Sequence, residues 1–186
     1  HGDMIDKQAA CLEAQRLEQT VLGTPCGLLD QMTMMHSSKD HCTLINFSNF
    51  ETKSIPFPES WMFKIVDSGI HRTLRDTDYR HHDSGEVQSN HVRNENARAE
   101  KAISCSSEKL GVLMNESHDS LVMLGVSTHE VDAQVQSLQN QEGILGARMM
   151  GGGFGGMILV LVEGDHVLPE HPLVVPSSPG FVEELI

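Results

Sequence analysis

The chain has 186 residues, of which 39% are hydrophobic and 21% charged, and its formal net charge is −13. This charge excludes nucleic acid and anionic membranes as main partners, although it leaves room for a local cationic site that binds a small anion. The four cysteines are widely spaced without a CxxC pair, and no apolar stretch has membrane-spanning length. These features are typical of a globular cytoplasmic protein with reduced thiols.

Two helices are predicted near the start of the chain. Residues 4–22 carry small or apolar side chains at i, i+4, i+7 and i+11 from Ala10 to Val21, which is the spacing of one helix face. Gly23 is placed to end this helix. A second helix is predicted to begin near Gly27.

The remaining pattern predicts a mixed α+β chain. The predicted elements are three short strands within 41–66, helices over 89–103 and 108–124, a helix opened by a capping box of Ser127 and Glu130, and a buried strand Met157–Val162.

Residues 146–156 read "GARMMGGGFGG", with five glycines among the six residues from 151 to 156. Gly151, Gly153 and Gly156 satisfy the pattern GxGxxG, but we expect a helix before this loop and a strand after it. A dinucleotide-binding loop needs a helix after the glycines, and a Walker A loop needs a following Lys-Ser/Thr. A tight helix-to-strand turn needs one or two glycines; five favour backbone packed against a ligand or another backbone, such as an oxyanion or phosphate nest.

The segment "GTPCGLLDQ" (residues 23–31) is the second functional candidate. Asp30 falls in the first turn of the predicted helix, where a lone carboxylate is commonly a surface residue. Its apolar neighbours instead predict the edge of a buried surface, where an ionised carboxylate suits the orientation or deprotonation of a substrate hydroxyl. Gln31 is a candidate amide partner for Asp30. Cys26 is interpreted as a small packing residue, since no nucleophile partner can be assigned.

Six motifs follow one another along the chain and read "GTPCGLLDQ", "VDSGIHRTLRDTDYR", "NHVRNENAR", "LMNESHDSL", "VSTHEVD" and "LGARMMGGGFGG". In this order they resemble motifs in the C-terminal half of the galactokinase branch of the GHMP small-molecule kinases.

The resemblance implies a GHMP kinase fold of the α+β class. Residues 1–68 would be the remainder of an S5-like N-terminal domain, and residues 69–186 a ferredoxin-like C-terminal domain. Asp30 matches the family's catalytic aspartate, and Gly27, Asp30 and Tyr79 match sugar-binding positions. The loop glycines that match the ATP-site-adjacent motif are Gly151, Gly152, Gly153, Gly155 and Gly156.

The implied activity is transfer of the ATP γ-phosphoryl group to the C1 hydroxyl of galactose, with ATP and Mg²⁺ as cofactors. The implied partners are a small sugar and ATP, and a monomer is favoured. No protein residue is assigned to a metal, since His81, His82 and Asp83 are interpreted as a solvated turn. The alternatives are a non-catalytic galactokinase-like sensor of sugar and ATP, or a kinase for another sugar such as N-acetylgalactosamine or arabinose.

The sequence also departs from the family pattern. The family's "GEHTDY"-like sugar-binding segment and "PxxxGLSSSA"-like phosphate loop are missing, and the spacing between Tyr79 and Asn90 is contracted. A fragment, or pieces joined across loops, explains this better than an inactive relative, because the contractions fall between helix motifs. Met150 stands where the family usually has threonine, and residues 70–72 invert the common Arg-His order, so both bear on which sugar is used.

Overall fold

The computed structural model describes residues 5–23, 26–70 and 85–174. Its elements are α1 (Lys7–Leu22), α2 (Leu29–His36), β1 (His41–Asn46), β2 (Glu51–Pro56), β3 (Met62–Asp67), α3 (Gly85–Ala102), α4 (Ser107–Met123), α5 (His129–Gln139), β4 (Ile144–Met149) and β5 (Met157–Val162). The predicted α+β class is confirmed. None of these helices combines the length and the apolar character that crossing a membrane requires.

The chain divides into two compact units, with one ending at Phe57 and the other running from Pro58 to Val174. β3 belongs to the second unit because it pairs along its whole length with β5. Along the chain, the boundary between the compact units therefore precedes β3 and lies eleven residues ahead of the boundary at 68 that the family resemblance implies. The assignment of 1–68 and 69–186 to the two kinase domains stays a prediction.

In the first unit, α1 forms as predicted. The Asp6 carboxylate accepts a hydrogen bond from the Ala9 N–H and caps the start, and Gly23 ends the helix in the left-handed conformation with φ 65°. The predicted apolar face is largely uncovered in this chain, since Leu17 is 50% and Val21 78% exposed.

The rest of the first unit is α2 followed by an antiparallel hairpin of β1 and β2, in which His41 pairs with Pro56. Its small core contains Cys11 of α1 and Met32 of α2, each 1% exposed. All four cysteines of the chain are free thiols, as the spacing predicted.

The second unit is built on a three-stranded antiparallel sheet in the order β3-β5-β4. The central strand β5 has the sequence "MILVLV", which suits a strand with neighbours on both sides. The fully buried core joins this sheet to α5 through Val131, Val135, Ala147, Ile158, Val160 and Val162.

α4 packs against β4 at unusually close range, through two glycines. A Cβ atom added at Gly111 of α4 would lie 2.0 Å from the backbone oxygen of Leu145. A Cβ added at Gly146 of β4 would lie 2.4 Å from the backbone oxygen of Gly111. The two backbones therefore touch, which only glycine permits at both positions.

Two local predictions were wrong. The segment before the glycine loop is the strand β4 rather than a helix, and its tertiary pairing with β5 outweighs the weak strand preference of Gly146 and Ala147. The N-cap of α5 is Thr128, whose hydroxyl accepts from the Val131 N–H, whereas the Ser127 hydroxyl donates to the Asp132 carboxylate. The capping residue is thus one position later than predicted.

Lys64 of β3 is a fully buried charged residue. Its Nζ donates to the backbone oxygens of Asp165 (2.8 Å) and Leu168 (3.0 Å) and lies 3.1 Å from the Asp165 carboxylate. These partners offset the desolvation cost of the ammonium, and they tie the segment after β5 to the sheet.

Candidate active site

Asp30 lies in the first turn of α2, as the sequence predicted. Its side chain is exposed rather than partly buried, because residues two apart point to different sides of a helix and the buried side of α2 carries Met32. A ligand in solution can reach an exposed carboxylate at this helix end, and the carboxylate can accept a proton from the ligand's hydroxyl group.

The segment around Asp30 is fixed by α1. The backbone oxygen of Cys26 accepts hydrogen bonds from the side-chain amides of Gln15 (2.9 Å) and Gln19 (3.0 Å). The amide of Gln31 donates to the Glu18 carboxylate at 2.6 Å, so it is not the partner of Asp30 that the sequence suggested. These contacts from one helix hold both sides of Asp30 in place.

Gly27, the other predicted sugar-binding position in this segment, is exposed. A Cβ atom added there would meet no atom of the described residues within 4 Å. Packing within the described residues therefore does not demand glycine at this position, and close approach of a ligand stays a prediction.

Cys26 does not have the environment of a nucleophile. Its burial and the negative charge of Glu18 raise the pKa of the Cys26 thiol, which keeps the sulfur protonated at neutral pH. Tyr79 lies outside the described residues, as do His81, His82 and Asp83.

The glycine loop connects β4 to β5, and it packs against backbone of the same unit. The Phe154 N–H donates to the Val126 oxygen, and the Gly156 N–H donates to the Ile70 oxygen, both at 2.8 Å. The alternative of backbone packed against backbone is therefore realised for the middle of this loop. Gly151 and Gly152, in contrast, are exposed.

The glycine at position 153 has a steric cause. Its φ is +89°, and an added Cβ would lie 2.4 Å from the backbone oxygen of Val126. Gly151 has a similar φ of +82°, but a Cβ there would meet no atom of the described residues within 4 Å. A side chain at either position would therefore be strained by the positive φ, but only a side chain at position 153 would also collide with backbone.

We expect Gly153→Ala to destabilise the protein by about 3 kcal/mol and Gly151→Ala by about 1 kcal/mol, because only the first adds a backbone collision to the cost of positive φ. Urea unfolding of both variants measures the difference. Equal losses would mean that the contact with Val126 does not determine the loop's conformation.

The base of the loop carries a cluster that the sequence analysis missed. The Glu95 carboxylate of α3 accepts from the Ser117 hydroxyl (2.7 Å) and the Arg98 Nε (2.7 Å), and it lies 3.7 Å from the Arg148 guanidinium of β4. Burial raises the pKa of Glu95, but the hydrogen bonds from Ser117 and Arg98 and the two positive charges outweigh it, so this pKa falls below its ordinary value. Only the Glu95–Arg98 spacing of i, i+3 was visible in the sequence.

His118 of α4 lies beside β4 and is 4% exposed. Burial lowers its pKa, and the charge of Asp132 partly opposes this effect. The neutral ring accepts from the Met149 N–H through Nδ1 at 3.5 Å, and Nε2 lies 3.5 Å from the Asp132 carboxylate. His118 is therefore a buried, hydrogen-bonded packing residue of the second unit.

The predicted site residues fall in both compact units. Gly27 and Asp30 belong to the first, and the loop glycines belong to the second. Within the second unit, the structure brings the loop together with the polar cluster of α3, α4 and β4. Among residues 5–23, 26–70 and 85–174, there is no group of three or more side chains suited to a metal ion.

Sequence comparisons identify relatives for most of the chain. Residues 100–168 match the family model described as GHMP kinases C terminal. A galactokinase of Thermotoga maritima is 32% identical over 182 residues, which covers 80% of this chain and 52% of that protein. A galactokinase of Glaesserella parasuis is 29% identical, covering 84% and 51%. The chain thus spans about half the length of these curated relatives.

Solved structures show the same fold. Lactococcus lactis galactokinase complexed with galactose matches with a TM-score of 0.77 at 22% identity, covering 94% of this chain and 61% of that one. The L. major mevalonate kinase in complex with R-mevalonate matches with a TM-score of 0.61 at 22% identity, covering 86% and 51%. The β4–glycine loop–β5 unit and the helices around it therefore have the fold of the C-terminal part of these kinases, and residues 100–168 carry the domain that the GHMP kinases C terminal model describes.

Proposed function

We propose that the protein containing this chain is a sugar kinase that transfers the γ-phosphoryl group of ATP to the C1 hydroxyl of galactose. The similarity to galactokinases over 80% of the chain carries this proposal. It favours a sugar over mevalonate, because the galactokinases of T. maritima and G. parasuis are 32% and 29% identical to this chain, whereas the L. major mevalonate kinase, at 22% identity, supports the fold alone.

In this proposal, Asp30 orients or deprotonates the sugar hydroxyl. Its exposed position at the start of α2 supports the role, since the carboxylate is accessible and its helix is fixed to α1. Gly27 lies one turn earlier in the same segment, where the lack of a side chain leaves space for the sugar. Tyr79 is proposed as a further sugar contact on the resemblance alone.

The glycine loop is proposed to border the ATP site. Gly151 and Gly152 are exposed, so their backbone is available to a phosphate group or to a neighbouring segment, while Gly153 and Gly155 are occupied by internal packing. Mg²⁺ would neutralise phosphate charge when bound with ATP. We assign no protein ligand to the metal.

The test is a panel of sugars with the complete gene product that contains this chain. We expect ADP release with galactose that requires both ATP and Mg²⁺, slower release with N-acetylgalactosamine and arabinose, and none with mevalonate. Phosphorus NMR of the product should show a phosphate on C1. Sugar binding by calorimetry without ADP release would contradict the kinase assignment and support the non-catalytic sensor.

A further inference from the structure

The glycine loop leaves the sheet from an edge strand. In the order β3-β5-β4, the outer edge of β4 has no strand partner within the described residues. Side chains replace the missing strand there: Asn115 accepts from the Ala147 N–H, and Gln139 donates to the Ala147 oxygen, both at 2.9 Å. At Ala147, two residues before the end of β4, this edge is therefore held by side chains of α4 and α5.

Arg148 is the residue of β4 that connects this edge to the charged cluster at the base of the loop. Its Nε donates to the oxygen of Met149, the last residue of β4, at 3.1 Å. On its other side, the guanidinium faces the Glu95 carboxylate at 3.7 Å, and its side chain is 29% exposed. Arg148 thus links Glu95 of α3 to the peptide group from which the loop departs.

The charges in this cluster make Glu95 the decisive member. Two guanidinium groups, of Arg98 and Arg148, share one carboxylate. Without its negative charge, the two cations face each other in a partly desolvated place, and the less tightly bonded Arg148 is the one free to move away.

We propose that Glu95 is a positioning residue for the glycine-rich loop, because it holds Arg148 and thereby the strand end that starts the loop. Its effect on catalysis rests on the proposed function, in which this loop borders the ATP site. Its effect on the position of the loop does not depend on that function.

Hydrogen exchange of this chain tests the loop directly. The N–H groups of Met150, Phe154 and Gly156 are hydrogen bonded and report the loop, and that of Val160 in β5 reports the sheet. In Glu95→Gln, we expect the three loop amides to exchange about tenfold faster while β5 stays within about twofold, because the loss of the carboxylate charge that holds Arg148 makes local opening of the loop easier without weakening the sheet. Glu100→Gln, an exposed residue of the same helix, should change neither. A uniform increase across loop and sheet would overturn the proposal, because it indicates general destabilisation.

A second variant decides whether Glu95 acts through Arg148. In an Arg148→Leu background, Glu95→Gln should no longer change loop exchange, since the two residues act in series. An undiminished effect in that background would overturn the proposed route.

In the complete gene product, we expect Glu95→Gln to lower kcat about tenfold and to leave the KM for the sugar within about twofold. An unchanged kcat with an accelerated loop would overturn the catalytic part. If the unmodified protein phosphorylates no sugar, the proposed function fails, and the exchange experiment still decides the role of Glu95.

Discussion

Replacement of Gly111 by alanine is expected to destabilise the second unit by about 3 to 5 kcal/mol, a large share of the ~5–15 kcal/mol that typically stabilises a domain. The new methyl group would lie 2.0 Å from the Leu145 oxygen, so α4 must move away from β4. Neither side of the contact can yield by a rotamer change, because both are backbone.

Thermal unfolding followed by circular dichroism measures this effect, with an expected fall in Tm of roughly 10 °C or more. Gly85→Ala at the start of α3 is the matched control, because its Cβ would meet no atom of the described residues within 4 Å. It should change the stability by less than about 1 kcal/mol. A Gly111→Ala variant as stable as Gly85→Ala would contradict the close approach of α4 and β4.

Asp30→Asn is expected to lower the rate of sugar phosphorylation by the complete gene product by about 10²- to 10⁴-fold, the usual contribution of a general base. The amide keeps the shape of the side chain but cannot accept the proton of the hydroxyl. The fold should be retained, because Asp30 is exposed and its loss removes at most a few tenths of a kcal/mol of helix-dipole stabilisation.

Asp40→Asn provides the control for this change. Asp40 is exposed in the same unit and has φ 57°, a conformation that asparagine also adopts readily. The control should leave kcat, KM and Tm unchanged. If Asp30→Asn turns over at the rate of Asp40→Asn, the catalytic role of Asp30 is excluded, whereas the sugar-kinase proposal itself depends on the substrate panel.

Much of the fold was predictable because its signals are local. Gly23 ends α1 as predicted, and the run Met157–Val162 forms β5 with the predicted bounds. β4 was not predictable in this way: "ILGARM" contains glycine and alanine, whose presence in a strand depends on pairing with β5 and on contact with α4.

In the candidate site, too, the features with local sequence signals were predictable, and those that depend on tertiary packing were not. The sequence located Asp30 in the first turn of α2, because helix starts have short-range signals. It did not predict that the side chain is exposed or that Gln31 bonds to Glu18, since both depend on how α2 packs against α1.

The sequence by itself determined the family resemblance, the positions of most helices and strands, and the two segments proposed for catalysis, because these depend on residue type and spacing along the chain. The tertiary structure decided why the loop needs its glycines and which side chains hold its start. Gly153 faces Val126, and Glu95 faces Arg148, and both pairs are far apart in sequence. Contacts of this kind depend on how whole helices and strands pack together. Short-range sequence patterns do not predict that packing.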